Sequence, residues 1–190
     1  DKVPGKFFNW IPAVGAGVIF AITANSSMYL NALKYFNSNS FGIADPLFSN
    51  DVGYYLFSRP FLMNVVNYFQ GLIIFLLIYA IVYYIIGMFL VFGSIRVSDF
   101  KYQPIMIHLL STIALFLAAR FPIYKFKAES ILFNDVVGST GAGYVDVNIW
   151  LKYYRVIPFI LVAIVIAAVF FLFKRKYKLA AISLAVFPAA

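Results

Sequence analysis

The only histidine of this 190-residue chain, His108, lies in an otherwise apolar stretch and is the first candidate for chemistry. In a helix, Ser111 and Thr112 would follow it at spacings of three and four and share its face. An ionisable side chain at membrane depth is costly to bury and therefore often functional, which here suggests a proton relay. The alternative is a neutral histidine bonded to a neighbouring helix, and its position about one turn inside the stretch favours that alternative. One histidine without a carboxylate in its helix does not form a metal site, so we expect no metal and no cofactor.

A second set of polar side chains falls in the first apolar stretch, where Asn25 and Ser27 follow small residues spaced four apart. Small residues at this spacing let helices pack closely, and amides and hydroxyls then bond across the interface. The other interpretation is a polar lining for a solute path. Packing is the favoured interpretation because such motifs commonly hold membrane helices together.

Two acids, Asp45 and Asp51, lie close together in a segment rich in turn-forming residues, and Arg59 follows them. A structural loop, a calcium site and an acid–base pair are the competing interpretations. The ligand spacing of an EF-hand is absent, and the segment supplies neither a nucleophile nor a second base. We therefore predict a structural loop, in which the Asp45–Pro46 step favours a turn and an Asp–Arg ion pair stabilises the fold.

Long apolar runs must position these residues. The chain is 64% hydrophobic and 12% charged, and residues 61–92 contain no charged side chain. About 20 apolar residues at ~1.5 Å each suffice to cross a bilayer. The sequence thus predicts an all-α fold, a polytopic integral membrane helical bundle with four full spans and a truncated fifth that continues in a longer chain. The predicted spans are 8–33, 61–92, 104–121, 157–173 and the truncated 179–190.

The connections between these spans predict an orientation. Four cations, Lys174, Arg175, Lys176 and Lys178, form a tight basic turn, and such turns stay in the cytoplasm. The beginning of the chain is then cytoplasmic, and the loops 34–60 and 122–156 are extracytoplasmic. Within the second loop, the alternation of apolar and polar residues over 145–149 predicts a short extended segment.

The net charge of +8 is carried by cations at the edges of the apolar runs. Cations in these positions meet anionic headgroups, so the lipid bilayer of the cell membrane is the predicted partner. No basic face is left outside the bilayer edges, and we expect no nucleic acid to bind. Cysteine is absent, which excludes disulfides and thiolate chemistry from this sequence.

Two loop motifs carry a family resemblance. Phe41–Phe61 contains the pattern Phe-Gly…Asp-Pro-(Ile/Leu)-Phe…Asp-(Ile/Val)-x-(Phe/Tyr)-Tyr-x-Phe…Pro-Phe. In this it resembles uncharacterised protein family 0182, a family of large prokaryotic multi-pass membrane proteins. Gly141–Asn148 resembles its Gly-Ala-x-Tyr-Thr-Asp-Val-(His/Asn) run, with Val145 in place of the threonine. The resemblance implies several membrane spans followed by a large extracytoplasmic domain, of which this chain would be part of the membrane half.

The sequence favours a membrane anchor or scaffold for that extracytoplasmic domain, with an envelope-related role and no enzymatic activity. Its expected partners are the remainder of its own chain and envelope proteins or further copies of itself. The loop residues expected to form a platform under the domain are Asp45, Pro46, Asp51, Tyr54, Arg59, Tyr144 and Asp146. The alternative is a transporter or channel component, whose polar path would use Asn25, Ser27, His108, Ser111 and Thr112. A membrane enzyme acting on lipid or envelope precursors is a third class, and it would need residues outside this chain.

Overall fold

The computed structural model describes residues 10, 14–15, 17–18, 21, 27–92, 103–136 and 139–186. This part of the chain is mostly helical. The helices are α1 (Ser27–Phe36), α2 (Arg59–Phe92), α3 (Gln103–Ala119), α4 (Phe121–Ser130), α5 (Leu151–Phe173) and α6 (Tyr177–Ala185). The shorter elements are π-helical turns at Tyr54–Ser58 and Asp146–Trp150, a 3-10 turn at Ile131–Phe133, and the two-residue antiparallel strands β1 (Asp135–Val136) and β2 (Ser139–Thr140).

Three helical segments in the described residues are long and apolar enough to cross a membrane. They are Tyr54–Gly87, Pro104–Phe133 and Asp146–Phe173. Large apolar side chains are exposed along them, as at Phe159 and Phe170, which suits contact with lipid. Half of the predicted first span, 8–33, and the end of 179–190 lie outside the described residues. The number of spans therefore stays a prediction.

The end of α3 follows from a proline. Pro122 occupies the first turn of α4, where its missing N–H costs nothing, but its ring would clash with the carbonyl of residue 118 in a continuous helix. The helix is interrupted at Arg120, where the N–H of Ile123 donates a hydrogen bond to the Arg120 carbonyl at 3.0 Å. The predicted boundary of the third span falls at this break, but helical structure resumes immediately after it.

The segment 122–156, predicted as a loop, holds α4, the 3-10 turn, the short hairpin and the start of the next helical segment. The prediction of an extended stretch at 145–149 is wrong, because these residues form helical turns. The Asp146 carboxylate accepts a hydrogen bond from the Gly143 N–H at 3.0 Å, which satisfies one backbone N–H at the start of this helical segment. A negative charge in the first turn also favours the helix dipole.

The basic turn between α5 and α6 is tightly closed. Arg175 adopts a left-handed conformation with φ of 55°. The N–H of Lys176 bonds the Phe171 carbonyl at 2.9 Å, and the N–H of Arg175 bonds the Leu172 carbonyl at 3.0 Å. These are the two hydrogen bonds of a Schellman motif, which satisfies the last carbonyls of α5 and starts α6 after a short connection.

The chain divides into two compact units. Among the described residues, one unit includes Gln70–Ala118 and most of Ala163–Ala190, and the other includes most of Ala24–Phe69 and Ala119–Val162. The first unit buries a core from α3, α5 and α6, made of Leu110, Ala114, Leu117, Ala168, Ala180 and Leu184. The second unit has a smaller core of Ala128, Ile131 and Leu151, and Leu47, Phe48 and Val147 pack against it.

Candidate functional site

The loop between α1 and α2 folds around the Asp45 carboxylate. Its Oδ1 accepts the N–H groups of Leu47 at 2.9 Å and Phe48 at 2.7 Å. Its Oδ2 accepts the N–H of Asn50 at 2.9 Å and the hydroxyl of Tyr55 at 2.8 Å. This is an Asx-type turn, in which the aspartate carboxylate accepts hydrogen bonds from loop N–H groups in place of a backbone carbonyl. Desolvation raises the pKa of Asp45, but the four hydrogen bonds outweigh it and the pKa is lowered overall.

Asp51 organises the other half of the same loop. Its Oδ2 accepts the Ser40 hydroxyl at 2.7 Å and the Gly42 N–H at 2.9 Å. Its Oδ1 accepts the N–H groups of Phe41 at 3.1 Å and Gly53 at 2.6 Å. These bonds, led by that of Ser40, lower the pKa of Asp51 to about 2. Both carboxylates therefore stay ionised as hydrogen-bond acceptors, which suits a structural role and not that of a proton donor near neutral pH.

A buried glutamate joins this loop region to α4. Glu129 is 1% exposed, and its Oε2 lies 3.1 Å from Nε of Arg59 at the start of α2. The Tyr54 hydroxyl lies 3.0 and 3.1 Å from the two Glu129 oxygens. Nη2 of Arg59 also donates to the Phe126 carbonyl at 2.9 Å and to the Ser130 hydroxyl at 2.6 Å. We call Tyr54, Arg59, Glu129 and Ser130 the polar clamp.

The polar clamp corrects one prediction and adds residues that the sequence did not single out. The expected Asp–Arg ion pair is wrong, since Arg59 pairs with Glu129 while Asp45 and Asp51 bind their own loop. Glu129 is the sole glutamate of the chain and follows Lys125 at a spacing of four, a pattern usual for a solvated helix face. Ser40, Tyr55 and Ser130 were missed as well, because only the folded loop and helix show their partners.

The second motif contributes less to this cluster. Tyr144 is 82% exposed, and only its carbonyl is engaged, by the Asn148 side-chain amide at 3.0 Å. Asp146 caps its own helix and lines a cavity of about 280 Å³ together with Ser130 of the polar clamp. The structure thus brings Tyr54 and Arg59 together, places Asp146 in the same cavity as Ser130 and leaves the Tyr144 side chain outside. Pro46 lies in the turn that Asp45 closes.

The predicted intramembrane residues are only partly assembled. The Ser111 and Thr112 hydroxyls donate to the His108 carbonyl at 2.9 and 2.8 Å, so both are satisfied within their own helix. Nδ1 of His108 lies 2.7 Å from the hydroxyl of Tyr84 on α2, a partner that the sequence did not reveal. Asn25 lies outside the described residues, and so does the side chain of Ser27.

His108 and Thr112 line a cavity of about 580 Å³ in the first unit. Tyr84 lines it too, as do Tyr79 and Tyr83 from the same helix, while its remaining walls are apolar. The cavity therefore combines hydroxyls and one imidazole with an apolar surface. Groups of three or more His, Cys, Asp or Glu side chains able to hold a metal are not found among the described residues.

Comparison with known proteins decides the family. The family model described as "Uncharacterised protein family (UPF0182)" matches residues 2–190. The chain belongs to this family. The family resemblance of the two loop motifs is therefore confirmed.

Several UPF0182 proteins align with most of the chain. That of Caldicellulosiruptor saccharolyticus is 31% identical over 187 residues, which cover 93% of this chain and 20% of the relative. Those of Clostridium tetani and Salinispora tropica are each 30% identical, over 87% and 85% of this chain and 20% and 16% of the relative. The chain thus spans about a fifth of the curated relatives it matches. No solved structure matches it.

Proposed function

We propose that this UPF0182 region is a multi-pass anchor in the cytoplasmic membrane, and that its loop ends form a platform that positions the remainder of the chain outside the cell. Three apolar helices of sufficient length support insertion into a membrane. The basic turn 174–178 supports a cytoplasmic position for that end and an extracytoplasmic position for 34–60 and 122–156. Envelope proteins or further copies of the chain would be bound through the same side.

The observation that carries the proposal is the polar clamp. It ties the start of α2 to the end of α4, so two apolar helical segments are held together where their polar ends begin. The carboxylates of Asp45, Asp51 and Glu129 all accept bonds from loop backbone, hydroxyls or Arg59. Carboxylates engaged in this way fix a surface in one shape, as a platform requires.

The test uses the full-length protein in inverted and right-side-out membrane vesicles. We expect alkaline carbonate to leave the protein in the membrane and external protease to cut the loop near Ser49 only in right-side-out vesicles. Arg59→Met should loosen the platform and speed cleavage at this loop and at the junction with the following domain, whereas Lys152→Met should change neither. Release by carbonate, or identical cleavage of wild type and Arg59→Met, would contradict the anchor proposal.

The 580 Å³ cavity around His108 favours a second candidate, a transporter or channel component. Its polar groups lie at membrane depth, and a solute path would need water to reach them. We would introduce a cysteine at Thr112, which lines the cavity, and at Ser183 on α6, which does not, in a full-length background free of other cysteines. Rapid reaction of the Thr112→Cys variant with a charged, membrane-impermeant thiol reagent would favour transport. Protection of both sites, with a cysteine at Ser49 reacting normally, would favour the anchor.

A further inference from the structure

A cavity of about 360 Å³ in the second unit has a composition unlike that of the polar clamp beside it. Five of its eleven lining residues are aromatic and come from the loop, α4 and α5: Phe48, Phe121, Tyr124, Tyr154 and Phe159. Asn50 of the loop and Glu129 of the polar clamp also line it. Phe121 and Phe159 are 44% and 71% exposed. The cavity is therefore open on an apolar side that hydrocarbon chains could cover.

Two cations, Lys125 and Arg155, line the same cavity. Arg155 is exposed and forms no ion pair or hydrogen bond with any described residue. Lys125 is loosely held, since its Nζ lies 3.8 Å from Glu129 Oε1 and 5.4 Å from the centroid of the Tyr54 ring, and its side chain is 64% exposed. The charge of Glu129 is already balanced by Arg59 at 3.1 Å. The cavity consequently carries an excess of positive charge and suits an anion.

The position of these cations matches the edge of a bilayer. Arg155 directly precedes the uncharged run 156–173, and Lys125 follows an apolar helix interrupted only by Arg120. Trp150, 45% exposed, precedes Arg155 by five residues, and tryptophan gathers at headgroup level. Cations beside an apolar helix at this depth meet lipid phosphates.

The cavity also contains a buried tyrosine whose hydroxyl has no hydrogen-bond partner among the described residues. Tyr124 lines the cavity and is fully buried, yet its hydroxyl forms no hydrogen bond within the described part of the chain. An unpaired buried hydroxyl is costly, and native proteins satisfy it with an ordered water or a bound ligand when no protein group is near. A phosphate or ester oxygen in the cavity would supply the missing acceptor.

We propose that this cavity binds an anionic glycerophospholipid, with its phosphate between Lys125 and Arg155 and its acyl chains along Phe121 and Phe159. The Tyr124 hydroxyl donates a hydrogen bond to the headgroup. The lipid joins α4 to α5 beside the polar clamp and fixes the platform at the depth of the headgroups. This site rests on the membrane insertion proposed above but not on the anchor role.

The test uses the purified full-length protein in an uncharged detergent, titrated with phosphatidylglycerol or with phosphatidylcholine. Bound lipid phosphorus and the shift in melting temperature are both measured. Wild type should bind phosphatidylglycerol more tightly than phosphatidylcholine. Lys125→Met and Arg155→Met should each weaken phosphatidylglycerol binding about fivefold. Lys152→Met, an exposed cation of α5 outside the cavity, should leave it unchanged.

Tyr124→Phe separates lipid binding from folding. Without lipid this variant should melt at or above the wild-type temperature, since it removes an unpaired hydroxyl, while its gain from phosphatidylglycerol should shrink. Equal phosphatidylglycerol binding by wild type and both cation variants would overturn the proposal. So would an equal stabilisation by inorganic phosphate alone, which would assign the site to a free anion.

Carbonate extraction of the membranes from which the protein is purified distinguishes the two levels of failure. A protein that stays in the membrane but shows no lipid preference contradicts only the lipid site. A protein released by carbonate contradicts the membrane insertion and the lipid site together.

Discussion

Arg59 and Glu129 lie 70 residues apart in the chain, yet Nε of Arg59 is 3.1 Å from Oε2 of Glu129. Their side chains are only 12% and 1% exposed. A buried ion pair stabilises a fold little compared with well-packed apolar residues, but either charge left alone is strongly destabilising. We therefore expect the pair to specify which helix ends meet, since a wrong pairing of helices would bury an uncompensated charge.

Replacing one partner of this ion pair should strongly lower the stability of the protein. Glu129→Gln leaves the Arg59 guanidinium buried without a counter-charge. Arg59→Met leaves the buried Glu129 carboxylate with only the exposed Lys125, at 3.8 Å, as a counter-charge. Each should lower the free energy of unfolding by about 3–5 kcal/mol. The double variant should recover part of that loss, because no buried charge remains. Denaturant unfolding of the full-length protein in detergent measures all three.

Lys125→Met provides the control for the ion pair. Lys125 also contacts Glu129, but at 3.8 Å and from an exposed position, so its loss should cost only about 0–1 kcal/mol. A loss equal to that of Arg59→Met, or strictly additive losses in the double variant, would contradict the assignment of Arg59 as the main partner.

The Asp51 loop should hold its shape at neutral pH and open in acid. Its pKa falls from the usual 3.8 to about 2 in the folded loop, so ionised Asp51 stabilises the loop above about pH 4. The stabilisation is lost as the pH falls from about 4 towards 2. Protease susceptibility near Ser49, followed with an acid-stable protease, should rise over this range. The variant Asp51→Asn should show raised susceptibility already at neutral pH and a flatter response to acid.

The helices could be predicted from the sequence because their signal is repeated along many residues. The run 61–92 lacks any charge, and α2 covers Arg59–Phe92. The polar clamp could not be predicted, since a pairing across 70 residues leaves no local pattern and Glu129 beside Lys125 resembles a solvated helix face. The turn at Asp146 was wrongly predicted because alternation over five residues is also compatible with a helix.

Gly53 should not accept a side chain. A Cβ at this position would meet the Asn39 carbonyl oxygen and would lie 2.9 Å from Oδ1 of Asp51. The Gly53 N–H donates to that same oxygen at 2.6 Å, so the backbone cannot move away without breaking the loop. Gly53→Ala should therefore increase cleavage near Ser49 and lower the melting temperature.

Gly87→Ala is the matched control for Gly53. Gly87 lies within α2, and a Cβ there would meet nothing within 4 Å. Alanine in a helix interior is favoured over glycine by about 0.5–1 kcal/mol, so this variant should be neutral or stabilised. If the two alanine variants had the same melting temperature, the close packing around Gly53 would be disproved.

Loss of the Tyr84 hydroxyl, which contacts His108, should destabilise the protein more than loss of the hydroxyl of the neighbouring Tyr83. Tyr84→Phe removes the hydroxyl that lies 2.7 Å from His108 Nδ1 and should lower the free energy of unfolding by about 0.5–1.5 kcal/mol. Tyr83 lines the same cavity and is adjacent in sequence, but its hydroxyl has no hydrogen-bond partner among the described residues, so Tyr83→Phe should have little effect. Modification of His108 by diethyl pyrocarbonate in a background without other histidines should be faster in Tyr84→Phe than in Tyr83→Phe. Equal rates in the two variants would show that the Tyr84 hydroxyl does not hold the imidazole of His108.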